Sequence, residues 1–115
     1  MKVFKLLMIT IILLGSQLTT AGEMSGLGTI TGINMPASGE MIRINFSLPF
    51  KNPSNCTGSD MYIKEITNDA SNRFVSTVLA AYMAKKQVEF WIDGCTTKTW
   101  WGKTQPQIYD IYIHD

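Results

Sequence analysis

The sequence is poor in the residues that most often carry chemistry. It contains one histidine, two cysteines and four prolines, and neither sign of charge is in clear excess. The histidine, His114, is the penultimate residue, where chains are usually mobile. No serine or threonine stands out as its partner for nucleophilic catalysis, and two cysteines with one histidine make no zinc-type cluster. We therefore predict that the protein is not an enzyme and holds neither a metal nor another cofactor.

Carboxylates could replace histidine as catalytic groups, but here they are dispersed. Glycosidase-type chemistry needs two carboxyl groups that flank one bond. The candidate carboxylates each lie singly on a predicted strand or turn: Glu40, Glu65, Glu89, Asp93 and Asp110. Residues 68–72 contain oxygen ligands that could suit calcium, but the glycine and the distal glutamate of a calcium loop are missing. We interpret the carboxylates as outward-facing polar residues and residues 68–72 as the start of a helix.

The only long apolar run lies at the amino terminus. Lys2 and Lys5 precede the uncharged stretch Leu6–Gly15, and Ala21 provides a small residue for cleavage. A run of about ten residues is short for a membrane span, which needs roughly 20. A lipid-embedded anchor or a buried helix is the alternative. The pattern predicts a cleavable signal peptide over residues 1–21, a single domain over residues 22–115, and a secreted or periplasmic location.

Cleavage would change the charge of the protein. The 10 basic residues include Lys2 and Lys5, so 8 remain against 9 acidic residues and the formal charge becomes −1. Such a surface is poorly suited to neutralising the phosphates of nucleic acids. It also has no general attraction for anionic membranes. We expect neither nucleic acid nor a stable membrane anchor as a partner.

Both cysteines, Cys56 and Cys95, lie in the predicted mature chain. In an exported protein an even pair indicates a disulfide. Two free buried thiols or half of a metal site are the alternatives. A bridge across 39 positions would tie the loop before the third predicted strand to the end of the fourth.

Short segments with strand-like alternation dominate the mature chain. Residues 22–29 are rich in glycine and are expected to begin the domain loosely. Gly32 weakens the first strand or marks a bulge. The five predicted strands span residues 29–33, 41–48, 61–66, 87–93 and 108–113. In the last strand we expect Tyr109, Ile111 and Ile113 to share one face.

One helix is predicted between the third and fourth strands. Asp69 or Ser71 can serve as its N-cap. Lys85 and Lys86 are expected at the C-terminal end of the helix, where positive charge interacts favourably with the helix dipole. Its apolar residues recur at helical spacing and form one stripe, which comprises Phe74, Val75, Val78, Leu79, Tyr82 and Met83. The stripe predicts an amphipathic helix that covers one end of the sheet.

The resulting order is three strands, a helix and two strands. This is the element order of the OB-fold, a five-stranded, partly open barrel with a helix between strands 3 and 4. We predict this mainly β fold for residues 22–115. Another small α+β sheet, or a β-sandwich that tolerates one helix, is the alternative.

The predicted loop 96–107 carries the candidate binding residues. Trp100 and Trp101 are adjacent, and Lys98 and Lys103 lie on either side of them. Large apolar side chains on an exposed loop tend to mark contact sites, and an aromatic plane can stack on a sugar ring. Alternatively, one or both rings fold back over the core, because tryptophan is heavily buried on average.

Several segments resemble a known group of proteins. Asn72–Cys95 (NRFVSTVLAAYMAKKQVEFWIDGC), the Trp100–Trp101 pair and Pro106–Ile113 resemble small exported bacterial proteins that are similar to the B subunits of A-B toxins, notably the subtilase cytotoxin and pertussis-like B subunits. The resemblance implies an OB-fold, a ring-shaped homo-oligomer, a glycan ligand and an exported partner protein.

The leading hypothesis is thus a non-catalytic exported binding module, similar to a toxin B subunit, that recognises a glycan or a partner protein. A secreted or periplasmic inhibitor, or an envelope interaction protein that uses a strand edge without binding sugar, is the second. Binding of single-stranded nucleic acid, which OB-folds often perform, is the third, and the mature charge of −1 disfavours it.

Overall fold

The computed structural model describes residues 22–58 and 60–115, and the predicted signal peptide lies outside these residues. The described part is mainly β sheet with one helix, as predicted. None of its helices is long and apolar enough to cross a membrane. The elements are β1 (Glu23–Met24), β2 (Gly28–Asn34), β3 (Met41–Phe46), β4 (Tyr62–Glu65), α1 (Asp69–Met83), β5 (Gln87–Cys95) and β6 (Pro106–His114).

The strands form a ring-like sheet in the order β1-β5-β2-β3-β4-β6, in which β6 also pairs with β5. Neighbouring strands are antiparallel except β4 and β6, which are parallel and paired only at Ile63 and Gln107. The helix follows the predicted third strand, but in the described residues this is the fourth of six strands rather than the third of five, because the short β1 precedes the first predicted strand. Ring closure leaves few unpaired strand edges. This is favourable because a free edge can pair with a strand of another molecule and cause aggregation.

The beginning of the domain is more ordered than the glycine-rich composition suggests. Glu23 and Met24 pair with Ile92 and Trp91 of β5. Ser25 continues the edge, because its N–H donates to the Phe90 carbonyl and its Oγ accepts from the Phe90 N–H, both at 2.8 Å. β1 and β2 therefore run in succession along one edge of β5. The expectation of a loose start was wrong, since β5 supplies hydrogen-bond partners that lie far away in sequence.

The alternation of the strands builds two apolar layers. The larger layer, inside the ring, includes Ile42, Ile44, Tyr62, Val88, Phe90 and Ile92. The smaller layer, on the outer face of β3 and β4, consists of Met41, Met61 and Ile63, and Trp100 packs against it. β2 carries the bulge that Gly32 suggested, because the register shifts between Ile30 and Gly32.

The predicted alternation of the last strand is wrong at its start. Ile111 and Ile113 share one face as predicted, because they pair with Phe90 and Val88, but Tyr109 does not belong to that face. Ile108 is fully buried and Ile111 packs against the main core, whereas Tyr109 and Ile113 are exposed. Ile92 pairs with Ile108 and Trp91 with Asp110, so Tyr109 is an extra residue on β6. Such a bulge reverses the faces of all later side chains. A one-residue shift of this kind leaves no mark in the hydrophobic pattern.

The helix begins and ends differently from the prediction. Asn68, rather than Asp69 or Ser71, is the N-cap, and Ser71 completes a reciprocal capping box with it. The last helical turn contains no basic residue. Lys85 and Lys86 lie after Met83, and Lys85 adopts a left-handed φ of 54°. Their N–H groups bond to the carbonyls of Tyr82 and Ala81, which is the Schellman pattern of helix termination.

The apolar stripe of the helix is buried only in part. Val75 and Val78 pack into the main core with Ala81, and Phe74 is half-buried. Leu79, Tyr82 and Met83 are exposed. Only one edge of the stripe therefore contacts the main core.

The predicted disulfide is present between Cys56 and Cys95, with a Cα–Cα distance of 5.6 Å. It joins the loop before β4 to the last residue of β5, as expected. The Ser54 hydroxyl also accepts from the Gly94 N–H at 2.9 Å. A disulfide of this kind indicates an oxidising, non-cytoplasmic compartment.

We predict that replacing both cysteines by serine lowers the free energy of unfolding by about 4 kcal/mol, because a loop of 39 residues is then released in the unfolded chain. Urea denaturation of the oxidised protein and the double variant measures the difference. The reduced wild-type protein is the matched control and should unfold with the double variant. Equal stability of all three forms would contradict the prediction.

We also predict that Lys85→Gly raises the free energy of unfolding by about 1 kcal/mol, because glycine adopts a left-handed φ without the steric cost of a Cβ. Lys86→Gly is the control. Lys86 has no such φ, so glycine there should lower stability slightly. The same effect from both variants would show that the lost lysine charge, rather than the backbone conformation, determines the result.

Candidate functional site

The buried carboxylate of Glu65 organises the loop that carries the predicted binding residues. Glu65 ends β4 and is 7% exposed. It accepts hydrogen bonds from the Thr97 N–H at 2.8 Å, the Thr97 hydroxyl at 3.0 and 3.1 Å, the Lys98 N–H at 3.3 Å and the Trp100 Nε1–H at 3.3 Å. Bonds to an ionised acceptor are stronger than neutral ones. Glu65 therefore holds one side of the loop against the sheet.

The loop itself, residues 96–105, is closed by its own backbone. The Thr96 N–H donates to the Gln105 carbonyl at 2.9 Å, and the Gln105 N–H donates to the Thr96 hydroxyl at 3.1 Å. The Gln105 side chain is almost fully buried, and its Nε2 donates to the Trp100 carbonyl at 2.9 Å. Thr104 pairs with Thr57 of the disulfide-bonded loop. The disulfide and the predicted binding loop thus belong to one connected region.

The structure separates the two adjacent tryptophans. Trp100 is half-buried against the outer apolar layer of Met41, Met61 and Ile63, so for this residue the alternative of a ring folded over the core is correct. Trp101 is 56% exposed. Its ring lies 5.3 Å from the guanidinium carbon of Arg43, in a cation–π arrangement.

The two predicted lysines are also in different surroundings. Lys98 forms an ion pair with Glu40, with 3.1 Å between Nζ and Oε1. The backbone N–H and carbonyl of Lys103 bond to the carbonyl and N–H of Trp100, which closes a turn over residues 100–103. The Lys103 side chain is exposed. The four predicted residues share one loop but do not converge on one cavity.

A pocket that the sequence did not predict lies beside this loop. Its volume is about 390 Å³, within the range of small-molecule sites. It opens where β4 and β6 diverge after their one pair, with the N-terminal turn of α1 alongside. The lining includes Lys64 and Glu65 of β4, Asn68 and Phe74 of the helix region, Thr97 of the loop, and Gln107 and Tyr109 of β6.

Lys64 occupies the centre of an aromatic pair in this pocket. Its Nζ lies 4.9 Å from the centroid of Phe74 and 5.3 Å from that of Tyr109. Burial lowers the pKa of Lys64, and the Asp110 carboxylate opposes the shift. Within the described residues, neither Lys64 nor the Gln107 amide is bonded to another side chain. Both groups are therefore free to bind a polar ligand.

Metal binding has no support in the described residues. Residues 22–58 and 60–115 contain no group of three histidine, cysteine, aspartate or glutamate side chains placed to hold an ion. Glu65, the buried carboxylate of the pocket, already accepts from four donor groups. Its surroundings suit a structural anchor rather than a proton-transferring base, which must face the reacting group.

Sequence reasoning missed Glu65, Arg43, Lys64, Gln107 and Tyr109. For Glu65 the alternation of the strand contained a signal of burial, because Glu65 lies on the same strand face as the apolar residues Met61 and Ile63. All three side chains are buried. The other four lie on three strands whose register the pattern does not specify.

Comparison with known proteins identifies no relative: no family model, curated protein or solved structure matches the chain. Function must therefore be inferred from the site itself.

We predict that Glu65→Ala lowers the free energy of unfolding by about 2–3 kcal/mol, because four partly buried donor groups of the loop lose a charged acceptor. It should also shift the tryptophan fluorescence to longer wavelength as Trp100 leaves its apolar contacts. Chemical denaturation followed by fluorescence measures both effects.

Glu40→Ala is the matched control, since it removes a carboxylate from the same region. The Glu40 side chain is 51% exposed, so its loss should cost at most about 1 kcal/mol. Equal effects of the two substitutions would contradict the organising role of Glu65.

Proposed function

We propose that this protein is an exported, non-catalytic binding module of OB-fold type that recognises a glycan. The observation that carries the proposal is the pocket between β4, β6 and the start of α1. It combines an exposed aromatic ring, Tyr109, with the Gln107 amide and with the Lys64 ammonium, which contacts two aromatic rings but has no side-chain hydrogen-bond partner among the described residues. An aromatic face can cover the apolar face of a sugar ring, while donors and acceptors bond to its hydroxyls.

The strand order supports the OB-type assignment. We count β1 and β2 as one interrupted strand, so that the described residues form five strands. Around the ring these five strands follow the order 1-2-3-5-4, and strand 4, which is β5, pairs again with strand 1. The helix lies between the third and fourth of these strands. This is the arrangement expected of the OB-fold, a binding scaffold for oligosaccharides and oligonucleotides.

Export is the second part of the proposal. The disulfide requires an oxidising compartment, and residues 1–21 have the charge and hydropathy pattern of a signal peptide. A toxin-B-like role with a ring-shaped homo-oligomer and an exported partner protein remains the proposal that the sequence resemblance implies. The nearly neutral charge of residues 22–115 favours a glycan over nucleic acid.

The test is a glycan array probed with the disulfide-bonded protein comprising residues 22–115. We expect binding to a restricted set of glycans, and we expect Tyr109→Ala to weaken it by about 10-fold or more, as loss of a central aromatic contact usually does. Tyr112→Ala is the matched control. Tyr112 is similarly exposed on the same strand but does not line the pocket.

Two outcomes would contradict the proposal in different ways. Absence of glycan binding, together with a monomer in light scattering, would overturn the toxin-B-like role. Glycan binding that Tyr109→Ala and Tyr112→Ala weaken equally would place the ligand outside the pocket.

The free edge of β6 supports a second candidate, an inhibitor or envelope protein that pairs with a partner strand. In the described part of the chain, β6 has no strand neighbour opposite β5 beyond Gln107. Tyr112 and Ile113 are exposed there, and free strand edges can accept an added strand. A pull-down from envelope extract separates the candidates. Tyr112 is paired through its backbone with Glu89, so the N–H of Ile113 faces the free edge, and Ile113→Pro should abolish capture by the edge and leave glycan binding intact.

A further inference from the structure

The exposed Trp101 is held in a conformation that a large side chain rarely adopts. It is the first central residue of a two-residue turn, with φ of 55°, and Gly102 follows with φ of 78°. Reciprocal backbone bonds of 2.8 and 3.3 Å between Trp100 and Lys103 close the turn. Turns with positive φ at both central residues prefer Asn-Gly or Gly-Gly. The backbone of Trp101 is therefore in an unfavourable conformation, at a position where a large aromatic side chain is exposed.

Arg43 fixes the orientation of this ring. It lies on the outer face of β3, and its guanidinium stacks on Trp101 at 5.3 Å. Its Nε is buried without a hydrogen-bond partner in the described residues. A stacked guanidinium is planar and weakly hydrated, so it can still pair with a carboxylate through its remaining N–H groups.

The surroundings of Trp101 are positively charged, although residues 22–115 carry a formal charge of −1. Arg43, Lys98 and Lys103 belong to this region, and two carboxylates oppose them: Glu40, which pairs with Lys98, and Glu65 beneath the loop, so three basic groups against two acidic groups leave an excess of one positive charge. A local excess of positive charge in a nearly neutral protein favours an acidic ligand.

The shape of the region favours a protein as the ligand. The turn protrudes, since a Cβ added to Gly102 would meet no atom within 4 Å, whereas small molecules bind in concave sites. Tryptophan and arginine are the residues most enriched at the energetic centres of protein interfaces. One exposed aromatic ring on a nearly neutral domain is a poor platform for a nucleic-acid strand, which needs successive stacking positions.

We propose that Trp101 and Arg43 form a preformed anchor for an acidic segment of a partner protein. This anchor does not depend on glycan binding, because neither residue lines the pocket. The carboxylates of the segment would pair with Arg43 and the neighbouring lysines, while an apolar or aromatic side chain would lie against the Trp101 ring.

The test is selection of a phage-displayed library of random linear peptides on the immobilised, disulfide-bonded protein. We expect the enriched peptides to be acidic and to contain an apolar or aromatic residue. For the best of them, Trp101→Asn and Arg43→Gln should each weaken binding at least about 10-fold in calorimetry. Added salt should weaken it further.

Two controls keep this test independent of folding and of the glycan proposal. Trp101→Asn creates the preferred Asn-Gly turn, so its melting temperature should equal or exceed that of the wild-type protein. Tyr109→Ala should leave peptide binding unchanged. Enriched peptides without acidic residues, no enrichment at all, or unchanged binding by Trp101→Asn would each overturn the proposal, as would binding of single-stranded DNA at this turn in place of peptides.

Discussion

The structure depends on β5, which is paired along both of its edges. One edge holds β1, Ser25 and the start of β2, and the other holds β6 over almost its whole length. This double pairing closes the sheet into a ring. It also directs Val88, Phe90 and Ile92 into the interior, where all three are fully buried. Burial of this kind, rather than hydrogen bonding, supplies most of the favourable free energy of folding.

Closure of the ring also determines where the two proposed binding surfaces lie. β5 ends at Cys95, so the disulfide to Cys56 and the loop 96–105 are brought to the same end of the sheet. Glu65 then attaches this loop to β4. A buried carboxylate is unfavourable unless its lone pairs are satisfied, and here the loop itself provides the donors. The loop and the carboxylate therefore require each other.

The two proposed surfaces are adjacent to this attachment but differ in physical character. The pocket is concave and holds an ammonium between two aromatic rings, while the Trp101 turn protrudes and carries a stacked guanidinium. Thr97 bonds to Glu65 on the pocket side, and Trp100 bonds to it beside the turn. The Glu65 carboxylate therefore supports residues beside both proposed surfaces.

Much of the fold follows from local pattern. The alternation within residues 87–93 predicted a strand, and the helical spacing of apolar residues between Phe74 and Met83 predicted the helix, because both patterns depend on the period of the backbone alone. The cysteine pair predicted the disulfide from composition. These features need no knowledge of which strands are neighbours.

The tertiary structure decided the remaining features. The bulge at Tyr109 changed which residues of β6 face the core, and the packing of the helix left Leu79 and Met83 exposed. The pocket exists because two parallel strands diverge after one pair, and Arg43 meets Trp101 only because β3 lies beneath a loop more than fifty residues later in the chain. By itself the sequence determined five of the six strands in the described residues, one helix among them and the covalent link. Register, closure and the meeting of distant side chains came from packing, since a one-residue shift changes every contact without changing the pattern.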